Sequence, residues 1–194
     1  MTRVSRTLPL AYFDAVYASN PDPWKFATSA YEHRKYALTL AALPRRRYAS
    51  ALEIGCSIGV LTRDLAQRCD DLLAIDAARA PLLEAKRRCA ELPAVRFEQM
   101  FVPHQWPDVT FDLILLSEVV YYLVADDVAC LASCVVRSLA EGGNVVLVHW
   151  TGATDYPLAG DEASDIFIAC VEREMRVERR DRHDAFRIDV LVKR

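Results

Sequence analysis

The chain has 194 residues, of which 24 are basic and 27 acidic, giving a formal charge of −3, and 53% of it is hydrophobic. A chain of this size and apolar content forms a single globular domain that needs neither disulfides nor metal to hold a core, and its balanced charge excludes the clustered basic surface that nucleic acid or an anionic membrane demands. The longest run without Asp, Glu, Lys or Arg, Gly142 to Thr154, is thirteen residues, short of the ~20 apolar residues of a membrane span.

The first helix is expected over Leu10 to Ala18, stopped by Asn20-Pro21-Asp22-Pro23. A second runs from Tyr31 to Leu43, where Tyr36, Ala37, Leu40 and Ala41 recur at helical spacing and Pro44 marks the end. Arg45-Arg46-Arg47 reads as a solvated turn after it. From Ala51 the period changes: Ala51 to Gly55 is a short apolar strand, Val60 to Arg68 a helix, and Asp71 to Asp76 a strand. Pro81 suits a first helical turn and opens a helix to about Glu91. Val95 to Gln99 is a strand, and Phe111 to Ser117 is an apolar one of the kind buried on both faces. Asp126 caps a helix with Val128, Leu131, Ala132, Val135 and Leu139 on one side, ended by Glu141-Gly142-Gly143. Asn144 to His149 is the fifth strand, followed by a loop and a helix over about Asp161 to Glu174. In the tail, Phe186, Ile188, Val190 and Val192 alternate with Arg187, Asp189, Leu191 and Lys193, the pattern of a less buried strand at or near an edge. Alternating strands and helices give a doubly wound, mostly parallel α/β sheet of seven strands, and a turn near Arg182 to Asp184 adds an antiparallel pair at the end. Residues 1–45 read as a helical lid segment and 46–194 as the core.

Arg3 and Arg6 mimic a secretory leader, but Asp14 breaks the apolar run behind them and no small-residue cleavage pattern follows. The expectation is a cytoplasmic protein. The six cysteines form no C-x-x-C pair and stand at no zinc-site spacing to His104, His149 or His183. They read as reduced thiols, and Cys130 and Cys134, four apart on one helical side, as buried ones. No metal is expected.

The sharpest local signal is Leu52-Glu53-Ile54-Gly55-Cys56-Ser57-Ile58-Gly59, a strand entering a Gly-bearing turn and then a helix. Gly55-x-Ser57-x-Gly59 matches a hydrolase nucleophile elbow, but in that fold several strands precede the elbow, and here the preceding 50 residues are mostly helical. A dinucleotide fingerprint wants G-x-G-x-x-G, and here Ser57 and Val60 stand where the second and third glycines belong. S-adenosylmethionine carries no phosphate and tolerates Ser57. Glu53 suits its cationic amino group, Gly55 and Gly59 permit close backbone approach, and Asp76, at the end of the second strand, can accept hydrogen bonds from both ribose hydroxyls. The dinucleotide reading, and with it a nicotinamide-dependent oxidoreductase, remains the rival on these residues.

The whole order resembles a class I S-adenosylmethionine-dependent methyltransferase. Five segments are similar to the methyltransferases related to nodulation protein S: Asp22-Pro23-Trp24, Tyr31-Glu32-x-Arg34-Lys35-Tyr36, the LEIGCSIGVLT turn, Ser117-Glu118-x-x-Tyr121-Tyr122-Leu123, and His149-Trp150 followed by Tyr156-Pro157-Leu158-x-Gly160-Asp161. The likeness spans about residues 12 to 165. It implies S-adenosyl-L-methionine as cofactor, S-adenosyl-L-homocysteine as product, and a small-molecule acceptor of which an oligosaccharide amino group is one class, with N-methylation favoured over O-methylation. In this class an acid commonly follows the third strand and takes the adenine amino group. Here the stretch reads Gln99-Met100-Phe101, so Phe101 is expected to pack on the adenine while a backbone group serves its polar edge.

The cofactor set expected on these grounds is Glu53, Gly55, Cys56, Ser57, Gly59, Asp76, Ala77, Met100, Phe101 and Ser117, with Trp24 as a lid aromatic. For catalysis, His149 at the end of strand five has a pKa suited to a general base, and Glu118 at the end of strand four is placed to orient the acceptor. The alternative for His149, a hydrogen-bonded structural histidine, stays open. Tyr31, Arg34, Tyr121, Tyr122 and Trp150 are the candidate acceptor contacts. A nucleotide-binding module without catalysis is the second functional class, and the missing acid at Phe101 is its hint.

Overall fold

The computed structural model describes residues 3–194. Seven strands form one sheet in the order β3-β2-β1-β4-β5-β7-β6. They are β1 (Ala51–Ile54), β2 (Leu72–Asp76), β3 (Val95–Gln99), β4 (Phe111–Ser117), β5 (Leu139–Trp150), β6 (Met175–Arg182) and β7 (Phe186–Lys193). The first five are parallel, and β7 runs antiparallel to both β5 and β6. The helices are α1 (Leu10–Ser19), α2 (Ala30–Ala42), α3 (Val60–Leu65), α4 (Arg79–Arg88), α5 (Ala125–Ser138) and α6 (Gly160–Val171).

Alternation along the strands feeds two cores. Leu52, Ile54, Ile114, Leu116, Val145 and Leu147 pack with Leu131 and Val135 of α5 and Phe167 of α6. Ala51, Leu113, Leu115, Val146 and Val148 pack on the other face with Tyr36 of α2 and Leu61 and Leu65 of α3. The switch in strand order between β1 and β4 opens a crevice at their carboxyl ends, where sheets of this kind hold ligands. No helix among the described residues is long and apolar enough to cross a membrane.

Several elements depart from expectation. The helix expected through Leu139 stops at Ser138, and β5 already starts at Leu139, running through Gly142 and Gly143 with a register break against β4 between Phe111 and Leu113. Gly142, at φ 67°, absorbs this irregularity. The residue before α5 is Val124 rather than Asp126, and Asp126 and Asp127 sit in the first turn, where carboxylates favour the helix N-terminus. Pro81 is the third residue of α4, still within the turn that needs no amide donor.

The largest correction concerns β7. It stands near the edge as expected, one strand in, between β5 and β6, but it is not less buried, since Phe186 to Leu191 are all buried. Its charged residues made it look exposed, yet Arg187 grips Asp189 through Nε–Oδ2 (2.7 Å) and Nη2–Oδ1 (3.0 Å), so the two charges are buried as a pair. The edge is β6, whose exposed arginines discourage strand addition. Cys130 is exposed, as is Cys170, while the other four cysteines are buried.

Candidate active site

A cleft of about 950 Å³, counted to its open mouth, lies over the carboxyl ends of β1, β2 and β4. The turn after β1 bends through three left-handed residues, Gly55 (φ 80°), Ser57 (φ 49°) and Gly59 (φ 76°). Gly55 lines the cleft, and a Cβ there would stand 2.4 Å from the Val119 side chain. Gly59 does not line it. It heads α3, and a Cβ on it would come within 2.9 Å of Ala85 Cα, so its role is close packing of α3 on α4.

Asp76 closes β2 with one amide on each carboxylate oxygen, Oδ2 accepting from Ser57 and Oδ1 from Ala78, both at 2.9 Å, which leaves each oxygen a further lone pair. Burial pushes its carboxyl up to about 6. Glu53, on β1, is 2% exposed and its Oε2 has no hydrogen-bond partner. Burial pushes it up to about 7, against a smaller opposing effect from Thr62. A buried carboxylate oxygen without a donor is costly, and both acids line the cleft, so an ammonium would satisfy Glu53 and vicinal hydroxyls would use the remaining lone pairs of Asp76. Cys56, Ser57, Ala77, Met100, Phe101 and Ser117 also line this space. The Phe101 backbone is engaged by Gln105, its amide donating to Gln105 Oε1 (2.8 Å) and its carbonyl accepting from the Gln105 amide (3.0 Å). Its ring remains available for stacking.

The N-terminal segment roofs the cleft. Tyr17 of α1 shares a 2.6 Å hydrogen bond with Ser57, and its ring meets Trp24 edge-on at 5.7 Å. Asp22 fixes the Trp24 loop by accepting from the amides of Phe26 (2.7 Å) and Ala27 (3.0 Å). Trp24, Phe26 and Tyr36 thereby form an aromatic wall.

On the opposite wall Glu118 adopts φ 59°, a strained value for a residue with a side chain. Its Oε1 accepts from Lys35 Nζ at 2.5 Å, and its Oε2 accepts from the Tyr121 hydroxyl (2.7 Å) and the Trp150 amide (2.8 Å). Burial works to raise its pKa, but Lys35 and these donors outweigh it and hold the carboxyl below its ordinary range. Tyr122 lines the cleft, while Tyr121 stands behind Glu118, stacked on Tyr156 at 5.2 Å.

His149 is not a base for this cleft. Alternation along β5 puts it on the face covered by α6, fully buried, with Nδ1 3.0 Å from Ser164 Oγ and Nε2 accepting from the Val120 amide at 3.2 Å. Burial lowers its pKa to about 4, so it is a neutral, hydrogen-bonded structural histidine. Arg34 is exposed on α2 and away from the cleft. Tyr31 and Trp150 meet edge-on at 5.7 Å behind the Glu118 wall and do not line the cleft.

Sequence reasoning missed Tyr17, Tyr36, Glu32 and Lys35. The signal was there for three of them. Glu32, Lys35, Tyr36 and Thr39 fall at i, i+3, i+4 and i+7, one face of α2, and that face is the buried one. Charged residues on the inward face of a helix are paired or functional.

The model of the family described as nodulation protein S matches residues 17–148. A nodulation protein S of Rhizobium tropici is 33% identical over 129 residues, covering 64% of this chain and 53% of that protein. One from Sinorhizobium fredii is 32% identical over a stretch covering 59% of it, so the chain spans about half the length of the curated relatives it matches. Among solved structures, a candidate methyltransferase from Pseudomonas syringae is 38% identical with a TM-score of 0.74, covering 85% of this chain and 100% of that one. The N-methyltransferase NodS from Bradyrhizobium japonicum WM9, solved with S-adenosyl-L-homocysteine, has a TM-score of 0.81 at 21% identity, over 95% of this chain and 98% of that one. The latter likeness establishes the fold.

Proposed function

The chain belongs to the nodulation protein S family, and from that premise we propose that it is an S-adenosylmethionine-dependent methyltransferase acting on an amine nitrogen of a small acceptor, with an amino sugar or oligosaccharide amine as the acceptor class. The observation that carries the cofactor reading is the pair of buried carboxylates in one cleft, Glu53 with an unpartnered Oε2 and Asp76 at the tip of β2. Glu53 would hold the amino group of the methionine part, Asp76 the ribose hydroxyls, and the Phe101 and Met100 side chains the adenine face.

S-adenosylmethionine supplies an electrophilic methyl group, so no covalent intermediate with the protein is needed. What the chain contributes is alignment and charge. Tyr17, Trp24 and Phe26 of the N-terminal segment roof the cleft and act as a lid that keeps water from the reacting centre. Glu118, ionised and fixed by three donors, attracts a protonated amine and orients its nitrogen. The aromatic wall of Trp24, Phe26 and Tyr36 offers stacking surface to a sugar ring.

Thermal denaturation tests the reading. At a hundred times its dissociation constant S-adenosyl-L-homocysteine adds ~2.7 kcal/mol, roughly 5–10 °C for a domain of this size. NAD(P) should add nothing, because Ser57 and Val60 deny its pyrophosphate the glycine turn. A larger shift with NAD(P)H would overturn the assignment. Transfer of a labelled methyl group to a glucosamine-containing acceptor then separates an active enzyme from a binding module.

A further inference from the structure

Among the described residues, Lys35 is the one cation that bridges the buried Glu32 and the largely buried Glu118. Its Nζ lies 2.5 Å from Glu118 Oε1, 2.9 Å from Glu32 Oε2 and 3.2 Å from Glu32 Oε1, and its side chain is 3% exposed. The cluster therefore carries a formal charge of −1 beside the cleft. The two acids are not equivalent. Glu118 is clamped by Lys35, the Tyr121 hydroxyl and the Trp150 amide, all of which favour its ionised form. The donor to Glu32 is Lys35 Nζ, at Oε1, with the Tyr36 hydroxyl a lesser influence, and its Oε2, though 2.9 Å from that nitrogen, has no hydrogen-bond partner. The surplus negative charge belongs to Glu32.

We propose that Glu32 is the terminal proton acceptor of the reaction, reached from the cleft through Glu118 and Lys35, which makes Lys35 and Glu32 positioning residues acting through Glu118. This rests on the amine-methyltransferase reading above. The acceptor enters as an ammonium. One N–H bond breaks, its electron pair stays on nitrogen for attack, and the proton passes to the Glu118 carboxylate. Lys35 gives a proton to Glu32 Oε1, the oxygen to which it already donates, and takes the one on Glu118. Glu118 and Lys35 return to their charged forms, Glu32 ends protonated, and the cluster goes from −1 to neutral.

The groups facing Glu32 agree with this assignment. Burial is the first cause raising its pKa, opposed by Lys35, with Glu118 adding repulsion and Tyr36 opposing it again. Tyr31 places its ring 5.4 Å from Lys35 Nζ, and its hydroxyl is buried without a partner. Tyr121 and His149 face Glu118 from the far side, and His149 is itself flanked by Asp189 and Arg187. A carboxyl in this setting holds a proton more readily than Glu118 does.

Two measurements test it. In protein labelled with carboxyl carbon-13 glutamate and free of ligand, the resonance lost in Glu32→Gln should titrate above the ordinary carboxylate range, and that lost in Glu118→Gln below it. The reverse order overturns the proposal, and if Glu32→Gln does not fold, the resonance lost in Glu32→Asp gives the assignment. In methyl transfer to fully deacetylated chitobiose and to n-butylamine, Glu32→Gln should lower kcat about 10²-fold and remove the inflection on the acid limb of the pH profile. The KM for S-adenosylmethionine should not change, and Glu32→Asp should recover part of the rate. An unchanged profile in Glu32→Gln overturns the relay while leaving the enzyme reading intact. A wild-type protein that binds S-adenosyl-L-homocysteine yet methylates neither amine overturns both.

Discussion

Replacing Glu53 by Gln should make the ligand-free protein more stable and a worse binder, and the gain should depend on pH. Glu53 is a folded-state acid whose pKa is pushed by burial from 4.5 to about 7. An acid raised on folding binds its proton more tightly in the native state, so the penalty is small below the unfolded pKa, grows as pH rises from 4.5 through 7, and is complete above that. The difference between those two values corresponds to about 3 kcal/mol. At pH 5 only about 1 kcal/mol of it applies. Glu53→Gln keeps the shape and abolishes the charge, so it should raise the melting temperature by roughly 6–12 °C at pH 8 and by no more than about 4 °C at pH 5. Any fixed cost of the new amide cancels between the two pH values, as does Asp76, which titrates in both proteins. Calorimetric or fluorescence melts of the two proteins at pH 5, 6, 7 and 8 are the assay. A stability difference that does not change with pH would refute the reasoning, since it would mean that Glu53 is not a buried, unpartnered carboxylate. In the same variant, affinity for S-adenosyl-L-homocysteine should fall at least tenfold at pH 8, because a charge-assisted bond of about 1.5–3 kcal/mol is gone.

Other expectations follow from single contacts. Asp76→Ala should weaken S-adenosyl-L-homocysteine about ten- to a hundredfold by calorimetry, and an unchanged affinity would remove Asp76 from the ribose site. His149→Ala should cost about 2–4 kcal/mol of stability, from a cavity and two lost hydrogen bonds, while leaving the pH dependence of any turnover unmoved; a shifted profile would restore His149 as the base. Gly59→Ala, which forces a Cβ against Ala85 at φ 76°, should destabilise by about 1–3 kcal/mol in denaturant titration. Asp189→Ala should cost about 1–3 kcal/mol, because Arg187 loses its buried carboxylate but keeps Asp161 (3.1 Å) and Asp165 (2.9 Å), and a near-neutral result in denaturant titration would mean that those two acids hold the guanidinium by themselves.

The central sheet was legible because β1 and β4 are apolar on both faces and the turns carry Gly and acid residues at fixed places, and the edge strand β3 because Val95 and Phe97 alternate with polar residues; all three fall within a residue of expectation. That Glu53, Gly55, Ser57 and Asp76 line one cleft was legible too, since they sit where the chain leaves β1 and β2. What failed depends on partners distant in sequence. Arg187 and Asp189 look solvated until they are seen to neutralise each other, which hid the burial of β7. Position 149 looked like a cleft residue because it ends a strand, but which face it takes is fixed by the β5–β7 register and the covering Ser164 on α6. Lys35 was passed over beside Arg34 although its helical phase separates them, one inward and one outward.

The most direct test is a calorimetric titration at pH 8 of the wild-type protein with S-adenosyl-L-homocysteine, 5′-deoxy-5′-methylthioadenosine and NAD. The account predicts one binding site for S-adenosyl-L-homocysteine, weaker binding of methylthioadenosine because it lacks the ammonium that Glu53 holds, and no binding of NAD. Methylthioadenosine binding as tightly as S-adenosyl-L-homocysteine would contradict the role of Glu53, and the absence of binding by either sulfur nucleoside would contradict the cofactor cleft itself.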